Sequence, residues 1–186
     1  MTMAPSPLES GLAQAIAAVN AGRREQARAV CEQLLGVAPG HPAVHQLLAL
    51  IALDEGDAMA AQRHAEASLA SRQGHPPTLA VAAKAAFAVA LAAHARGDTA
   101  QEEAALRRAL GHEPQMVEAE VNLGIVLQSR GALDAAMAHY GRAFVQRPDA
   151  FGRIAHALAS EPRGAVWLEA DALRSALREA STRLPA

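Results

Sequence analysis

Aromatic residues are scarce in this sequence of 186 residues, where Phe, Trp and Tyr together make up 3%. A core built on large rings is therefore excluded, and alanine, about a quarter of the chain, must supply close packing between helices. The single cysteine, Cys31, excludes a disulfide within the chain and is typical of a reducing compartment. Since free cysteine is among the most buried residue types, we expect the Cys31 thiol to be buried.

An excess of charge of either sign is also lacking. The formal net charge is −2 and the pI is about 6.4, so we expect no nucleic-acid partner. The N-terminal segment MTMAPSPLES has neither a basic segment nor a long apolar run, which predicts no signal peptide and a cytoplasmic protein. The nearest candidate for a membrane span, residues 78–95, contains Lys84 and His94, so we expect no membrane insertion. The bias toward alanine and arginine indicates a bacterial source.

The sequence is rich instead in helix-forming residues separated by glycine. Apolar residues make up 51% of the chain, and their dominance by alanine predicts an all-α protein. Gly22 and Gly56 are 34 residues apart, as are Gly97 and Gly131, whereas Gly56 and Gly97 are 41 apart. Each glycine lies between two helical stretches, and a recurring spacing of this size indicates a protein built from repeated helical hairpins.

The clearest repeat is the stretch from 117 to 149, which predicts two short helices and a turn. Small residues lie where the two helices must touch. Leu123-Gly124 is followed by Leu127 and then, after Gly131, by Ala136, Tyr140, Ala143 and Pro148. With these residues at these offsets, the stretch resembles one tetratricopeptide repeat, a unit of about 34 residues. Glu120 stands where the family usually has its first aromatic residue.

The resemblance implies an all-α fold, a right-handed α-solenoid of about four tetratricopeptide-like hairpins with a C-terminal capping helix. We expect a disordered tail over 1–7 and a solenoid over 8–149. Residues 151–186 would form a half-repeat and the cap, onto which we expect Trp167 to pack. The four units would span about 8–41, 42–75, 76–116 and 117–150. The third unit has seven extra residues, and we place them in its first helix because residues 79–82 continue the apolar pattern.

By the same resemblance, the first helices of the units line a concave groove. Its expected centre is apolar and its rim polar, which suits an amphipathic helix or an extended peptide of a partner protein. The predicted groove residues are Leu50, Lys84, Phe87, Leu91, His94, Val121, Asn122, Ile125 and Gln128. Two alternatives remain: these side chains pack against neighbouring helices, or the C-terminal helix fills the groove.

The function predicted from the sequence is therefore that of a non-enzymatic protein-interaction adaptor without a cofactor. No glycine-rich phosphate loop and no nucleophile with a partnered base is evident. His41 and His45 are four residues apart, but no Cys or carboxylate completes a metal-ligand set. A clamp for a chaperone C-terminus is disfavoured, because Lys84 and Asn122 lack further basic partners.

Two alternative functions stay open. The chain could be a self-assembling scaffold, and thus a homo-oligomer, or an accessory or regulatory module of an enzyme system such as a transferase. The residues after 150 are too few to form a transferase domain themselves.

Overall fold

The computed structural model describes residues 6–160 and 169–183, and this part of the chain is all-α, which confirms the predicted fold class. The described residues form ten α-helices, with one 3₁₀ turn at Pro148–Ala150 before the ninth. The helices are α1 Pro7–Asn20, α2 Arg24–Val37, α3 Pro42–Asp54, α4 Ala58–Ser71, α5 Pro76–Ala95, α6 Thr99–His112, α7 Val117–Ser129, α8 Leu133–Gln146, α9 Phe151–Ser160 and α10 Ala170–Ala180.

The chain divides into two compact units, Met1–Val89 and Ala90–Ala186, which we call unit 1 and unit 2. Helix α5 contributes its first part to unit 1 and its last six residues, 90–95, to unit 2. Helices α2 to α8 lie within the four predicted repeats, and α9 and α10 follow the fourth. Helix α1 begins at Pro7 with Ser6 as its N-cap, so these two residues of the predicted tail belong to the helix and its cap. The division of the chain into a tail, a solenoid and a cap stays a prediction. Trp167 and residues 1–5 lie outside the described residues.

The turns inside the hairpins follow one design. The glycine after α3, Gly56, has φ +79°, and the glycine after α5, Gly97, has φ +71°. Glycine adopts this left-handed conformation without steric cost, which lets the chain leave the helix. The next backbone N–H closes the turn by donating to a carbonyl five residues earlier, as from Asp57 to Ala52. The Asp57 carboxylate then accepts from the N–H of Ala60 and caps the next helix.

Most of the buried hydrophobic residues of unit 1 are alanines. Helices α1 and α2 form one hairpin and α3 and α4 the next, with α2 also packed on α3. Ile51 of α3 closes a cluster with Ala18 and Ala27 of the first hairpin. Cys31 lies in an adjoining cluster and is fully buried, which confirms the predicted core thiol. Burial raises the pKa of the Cys31 thiol to about 11, with a smaller effect from Glu32, so the thiol stays protonated and unreactive.

Unit 2 is built around the α7–α8 hairpin. Gly124 of α7 lets the ring of Tyr140 approach closely, since a Cβ at position 124 would lie 2.4 Å from the ring. The buried Tyr140 hydroxyl donates to Gln128 (2.9 Å), and the Gln128 amide donates to the carbonyl of Ala157 in α9 (3.1 Å). This chain of hydrogen bonds joins three helices and satisfies the buried amide of Gln128.

Helix α10 packs along α8. It buries Leu173, Leu177 and Ala180. The two helices meet at Gly141, where an added Cβ would lie 2.3 Å from the carbonyl oxygen of Leu177.

Helix α5 is 20 residues long, whereas α3 and α7 each have 13. The seven extra residues of the third repeat are therefore helical, as the sequence predicted. Among the described helices, α5 alone is long and apolar enough to cross a membrane, with a mean hydropathy of 1.6 and half of that segment buried. A buried core helix has the same properties, so this finding is weak evidence for a membrane span.

Candidate functional site

A pocket of about 310 Å³ opens in unit 2 where the end of α5 meets α6, α7 and α9. We call it the α5–α7–α9 pocket. Leu91 and Ile125 form its apolar part, and Leu91 keeps 49% of its surface exposed. His94 and Asn122 lie at its polar edge. The structure thus brings together four of the nine residues that the sequence predicted for the groove.

Two further polar residues complete this pocket. Glu102 at the start of α6 is buried, and its carboxylate oxygens lie 3.1 and 3.2 Å from Nδ1 of His94. On the other side, Arg153 of α9 donates to the Asn122 side-chain oxygen (3.3 Å). The pocket therefore has an apolar floor between an acidic edge and a basic edge, which suits a peptide segment with its own backbone dipoles.

Glu102 and Arg153 were not predicted as members of the pocket. Glu102 stands where the family pattern has a small residue, and this departure from the pattern could have indicated a functional position. Arg153 belongs to the half-repeat after the fourth unit, outside the stretch that resembles the family, so the repeat pattern carried no signal for it.

A second apolar patch lies in unit 1 between α1 and α3, and we call it the α1–α3 patch. Its pocket has a volume of about 160 Å³. Leu50, another predicted groove residue, lines it together with Leu12 and Ile16. Ile16 is 42% exposed, so this patch presents aliphatic surface to solvent. This patch lies on first helices of predicted units, as do α5 and α7 of the α5–α7–α9 pocket.

The four remaining groove residues divide into two pairs. Lys84 is exposed and Phe87 half-buried on the part of α5 that belongs to unit 1. Val121 and Gln128 are fully buried, so their prediction as surface residues of the groove is wrong. Val121 packs into the interior of unit 2, and Gln128 is held inside by its bonds to Tyr140 and Ala157.

Histidines of unit 1 form a small polar cluster away from these surfaces. Nδ1 of His45 lies 3.1 Å from Nδ1 of His64, and Nε2 of His45 is 2.8 Å from the carbonyl oxygen of Pro39. Burial lowers the pKa of His64, and the nearby charges of His45, Arg63 and Arg28 lower it further. Within 6–160 and 169–183, no three His, Cys, Asp or Glu side chains come together as a metal site.

The comparisons with known proteins identify the architecture. The sequence matches no protein-family model and no curated protein. Among solved structures, a crystal structure of MamA is 16% identical with a TM-score of 0.63, covering 94% of this chain and 87% of that one. A second MamA structure is 19% identical with a TM-score of 0.60, covering 96% and 93%. YrrB, described as a tetratricopeptide-repeat protein with an unusual peptide-binding site, is 15% identical with a TM-score of 0.61, covering 93% and 86%. At these identities the likeness concerns the fold.

Proposed function

Since the chain has the tetratricopeptide-repeat fold, we propose that it is a non-enzymatic protein-interaction module of the bacterial cytoplasm. In this proposal, an extended peptide or a helix of a partner protein binds to the surfaces of the first helices. The observation that carries the proposal is the α5–α7–α9 pocket, where exposed Leu91 and half-buried Ile125 lie between polar edges. Large exposed aliphatic groups rimmed by polar side chains are typical of a surface that becomes covered by a partner.

The chemistry of the pocket supports a peptide rather than a charged small molecule. An apolar side chain of the partner would cover Leu91 and Ile125 and remove their surface from water. Asn122 offers both an amide donor and an oxygen acceptor, so it can bond to a peptide backbone. Arg153 and Glu102 have opposite charges, so the pocket has no strong preference for a ligand of one sign. YrrB, a protein of the same fold, is described as having a peptide-binding site.

Selection of short random peptides against the full chain, followed by binding measurements with variants, tests this proposal. Leu91→Glu places a charge on the apolar floor and should abolish binding of the selected peptides, because an apolar side chain packed on the floor would have to remove the carboxylate from water. Val145→Glu is the matched control, since Val145 is an equally exposed aliphatic residue (57%) of unit 2 that does not line the pocket. Circular dichroism shows whether both variants keep their helical content.

Three outcomes would contradict the proposal. The peptides could bind both variants as tightly as the wild type, which would place binding elsewhere. Both variants could lose binding equally, which would show that the effect of Leu91→Glu is not specific to the pocket. The selection could also yield no peptide, while the chain associates with itself in a concentration-dependent manner. That last result would favour a self-assembling scaffold.

A further inference from the structure

Unit 2 contains a second pocket that shares no lining residue with the α5–α7–α9 pocket. It lies among α6, α7 and α8 and has a volume of about 400 Å³, within the range of about 300–1,000 Å³ typical of small-ligand sites. We call it the α6–α8 pocket. One wall is apolar and the other is charged. The side chains used below are Leu110 and Leu123 on the apolar wall, and Arg107, Glu120, His139 and Arg142 on the charged wall.

The charged wall is organised around a buried carboxylate. Glu120 is 2% exposed and accepts from Nε (2.8 Å) and Nη2 (3.2 Å) of Arg142. Nδ1 of His139 lies 2.6 Å from the Glu120 carboxylate and 2.6 Å from Nη2 of Arg142. Burial raises the pKa of Glu120, but the bonds from His139 and Arg142 outweigh it, so the net pKa lies below its usual value. The carboxylate is therefore ionised and fixes the guanidinium of Arg142 in one orientation.

One nitrogen of that guanidinium, Nη1, is not used in these bonds. Nη1 of Arg142 is buried and has no hydrogen-bond partner among the residues that the structure describes. A buried unpaired donor costs about 1–3 kcal/mol relative to a paired one. The Arg142 side chain as a whole keeps 22% exposure and lines the pocket, so a shift of the side chains around it opens Nη1 to a bound acceptor while Nε and Nη2 stay bonded to Glu120.

The mouth of the pocket also has an excess of positive charge. Arg107 lines it and pairs with the buried carboxylate of Glu103, which Arg130 contacts at the same time. Two guanidinium groups thus share one carboxylate, while Glu120 neutralises Arg142. An anionic group that enters beside Arg107 and Arg142 is therefore attracted, and it supplies the missing acceptor for Nη1.

We propose that the α6–α8 pocket binds a carboxylate attached to an apolar group of about the size of one amino acid residue. The carboxylate accepts from Nη1 of Arg142 and faces Arg107, while the apolar group packs on Leu110 and Leu123. Two sources have this chemistry: the C-terminal residue of a peptide, and a free carboxylic acid with an aliphatic body. The site does not depend on the peptide surface proposed above, because the two pockets have no residue in common.

An NMR titration of the isotope-labelled full chain with N-acetyl-leucine tests this site. We expect saturable shifts of amides in α6, α7 and α8, and no such shifts with the uncharged N-acetyl-leucinamide. Arg107→Gln should weaken binding about five-fold through the loss of one exposed charge, whereas Arg108→Gln, its exposed neighbour outside the pocket, should leave it unchanged.

Removal of Arg142 alone would leave Glu120 buried without its main partner and could unfold the chain. The double variant Glu120→Gln, Arg142→Gln removes both charges together and should abolish the saturable shifts. A peptide ending in leucine with a free carboxylate separates the two sources. Tighter binding of the peptide than of N-acetyl-leucine assigns the site to a C-terminus, and equal binding assigns it to the terminal residue alone or a free acid.

Several results would overturn the site. N-acetyl-leucinamide could bind as well as the acid, which would show that the charge is not recognised. The two single arginine variants could weaken binding equally, or the double variant could bind as the wild type does. The proposed site would also be rejected if neither probe gave saturable shifts, or if the shifts mapped to Leu91 and Ile125.

Discussion

Leu123 illustrates how a single residue holds unit 2 together. It is 1% exposed in the centre of α7, where the repeat pattern requires a large aliphatic residue. Leu123→Ala removes buried methyl groups and leaves a cavity, so we expect a loss of about 2–5 kcal/mol in the free energy of unfolding. Urea denaturation monitored by circular dichroism measures this loss. Leu91→Ala is the control, because truncation of the half-exposed Leu91 should lower the free energy of unfolding far less. Equal losses would contradict the burial of Leu123.

His64 makes the stability of unit 1 depend on pH. Its pKa in the folded chain lies below the ordinary 6.5, chiefly because of burial, so the unfolded chain takes up the proton first. Stability is therefore lost as the pH falls from about 6.5 through the folded pKa. Protonation also disturbs the contact between the Nδ1 atoms of His45 and His64.

We expect His64→Gln to flatten the decline in melting temperature between about pH 7 and about pH 5. His156→Gln, which replaces an exposed histidine of α9, should keep the wild-type slope. If both variants retain that slope, another group is responsible for the acid sensitivity.

Residues of the candidate site were predictable where they lie on the first helices of the repeats. Apolar Leu91 and Ile125 and polar His94 and Asn122 were all found in this way. Val121 was misplaced because it lies only about 40° around α7 from Ile125, and periodicity does not locate the edge of a buried face that finely. Gln128 is polar and was therefore taken for a surface residue. Its burial depends on the Tyr140 hydroxyl and the Ala157 carbonyl, which come from two other helices.

Helices and turns, at the next scale, were largely predictable. Glycines with positive φ, such as Gly56 and Gly97, end helices, and proline begins α3 and α5, so local chemistry sets most bounds. The length of α5 followed from the continuous apolar pattern. Local sequence does not identify the surface on which a terminal helix packs. The amphipathic pattern of α10 predicts a buried face, but the surface that covers this face is set by a close approach at Gly141.

Gly141 controls the docking of α10 on α8. An added Cβ would lie 2.3 Å from the Leu177 carbonyl oxygen and 2.6 Å from the Ser181 backbone nitrogen, and neither backbone atom can turn away as a side chain does. We expect Gly141→Ala to displace α10 and to cost about 1–3 kcal/mol. Limited proteolysis should then cleave within α10 faster than in the wild type.

Gly152→Ala in α9 is the matched control for that experiment. A Cβ at position 152 meets nothing within 4 Å, so alanine should be neutral or stabilise the helix by about 0.5–1 kcal/mol. Unchanged proteolysis of α10 in Gly141→Ala would mean that α10 is not held against α8 in solution.

At the scale of the whole molecule, the division into two units has a consequence for how the chain opens. In a repeat protein each element contacts its neighbours, so stability is approximately a sum of local terms. Leu123 is buried within unit 2, and Ile51 packs with Ala18 and Ala27 within unit 1. The packing described for each side chain therefore involves residues of its own unit, in contrast to the central residues of a single globular core.

We therefore expect Leu123→Ala and Ile51→Ala to have separable effects on amide hydrogen exchange. Leu123→Ala should lower protection most in α6–α9, and Ile51→Ala most in α1–α4, because each cavity weakens the helices that line it first. Exchange followed by mass spectrometry of peptides from each unit measures both. If either substitution lowers protection equally in both units, the chain opens as one cooperative body. A peptide bound at the α5–α7–α9 pocket would then stabilise α1–α4 as much as α6–α9, whereas separable units confine its effect to unit 2.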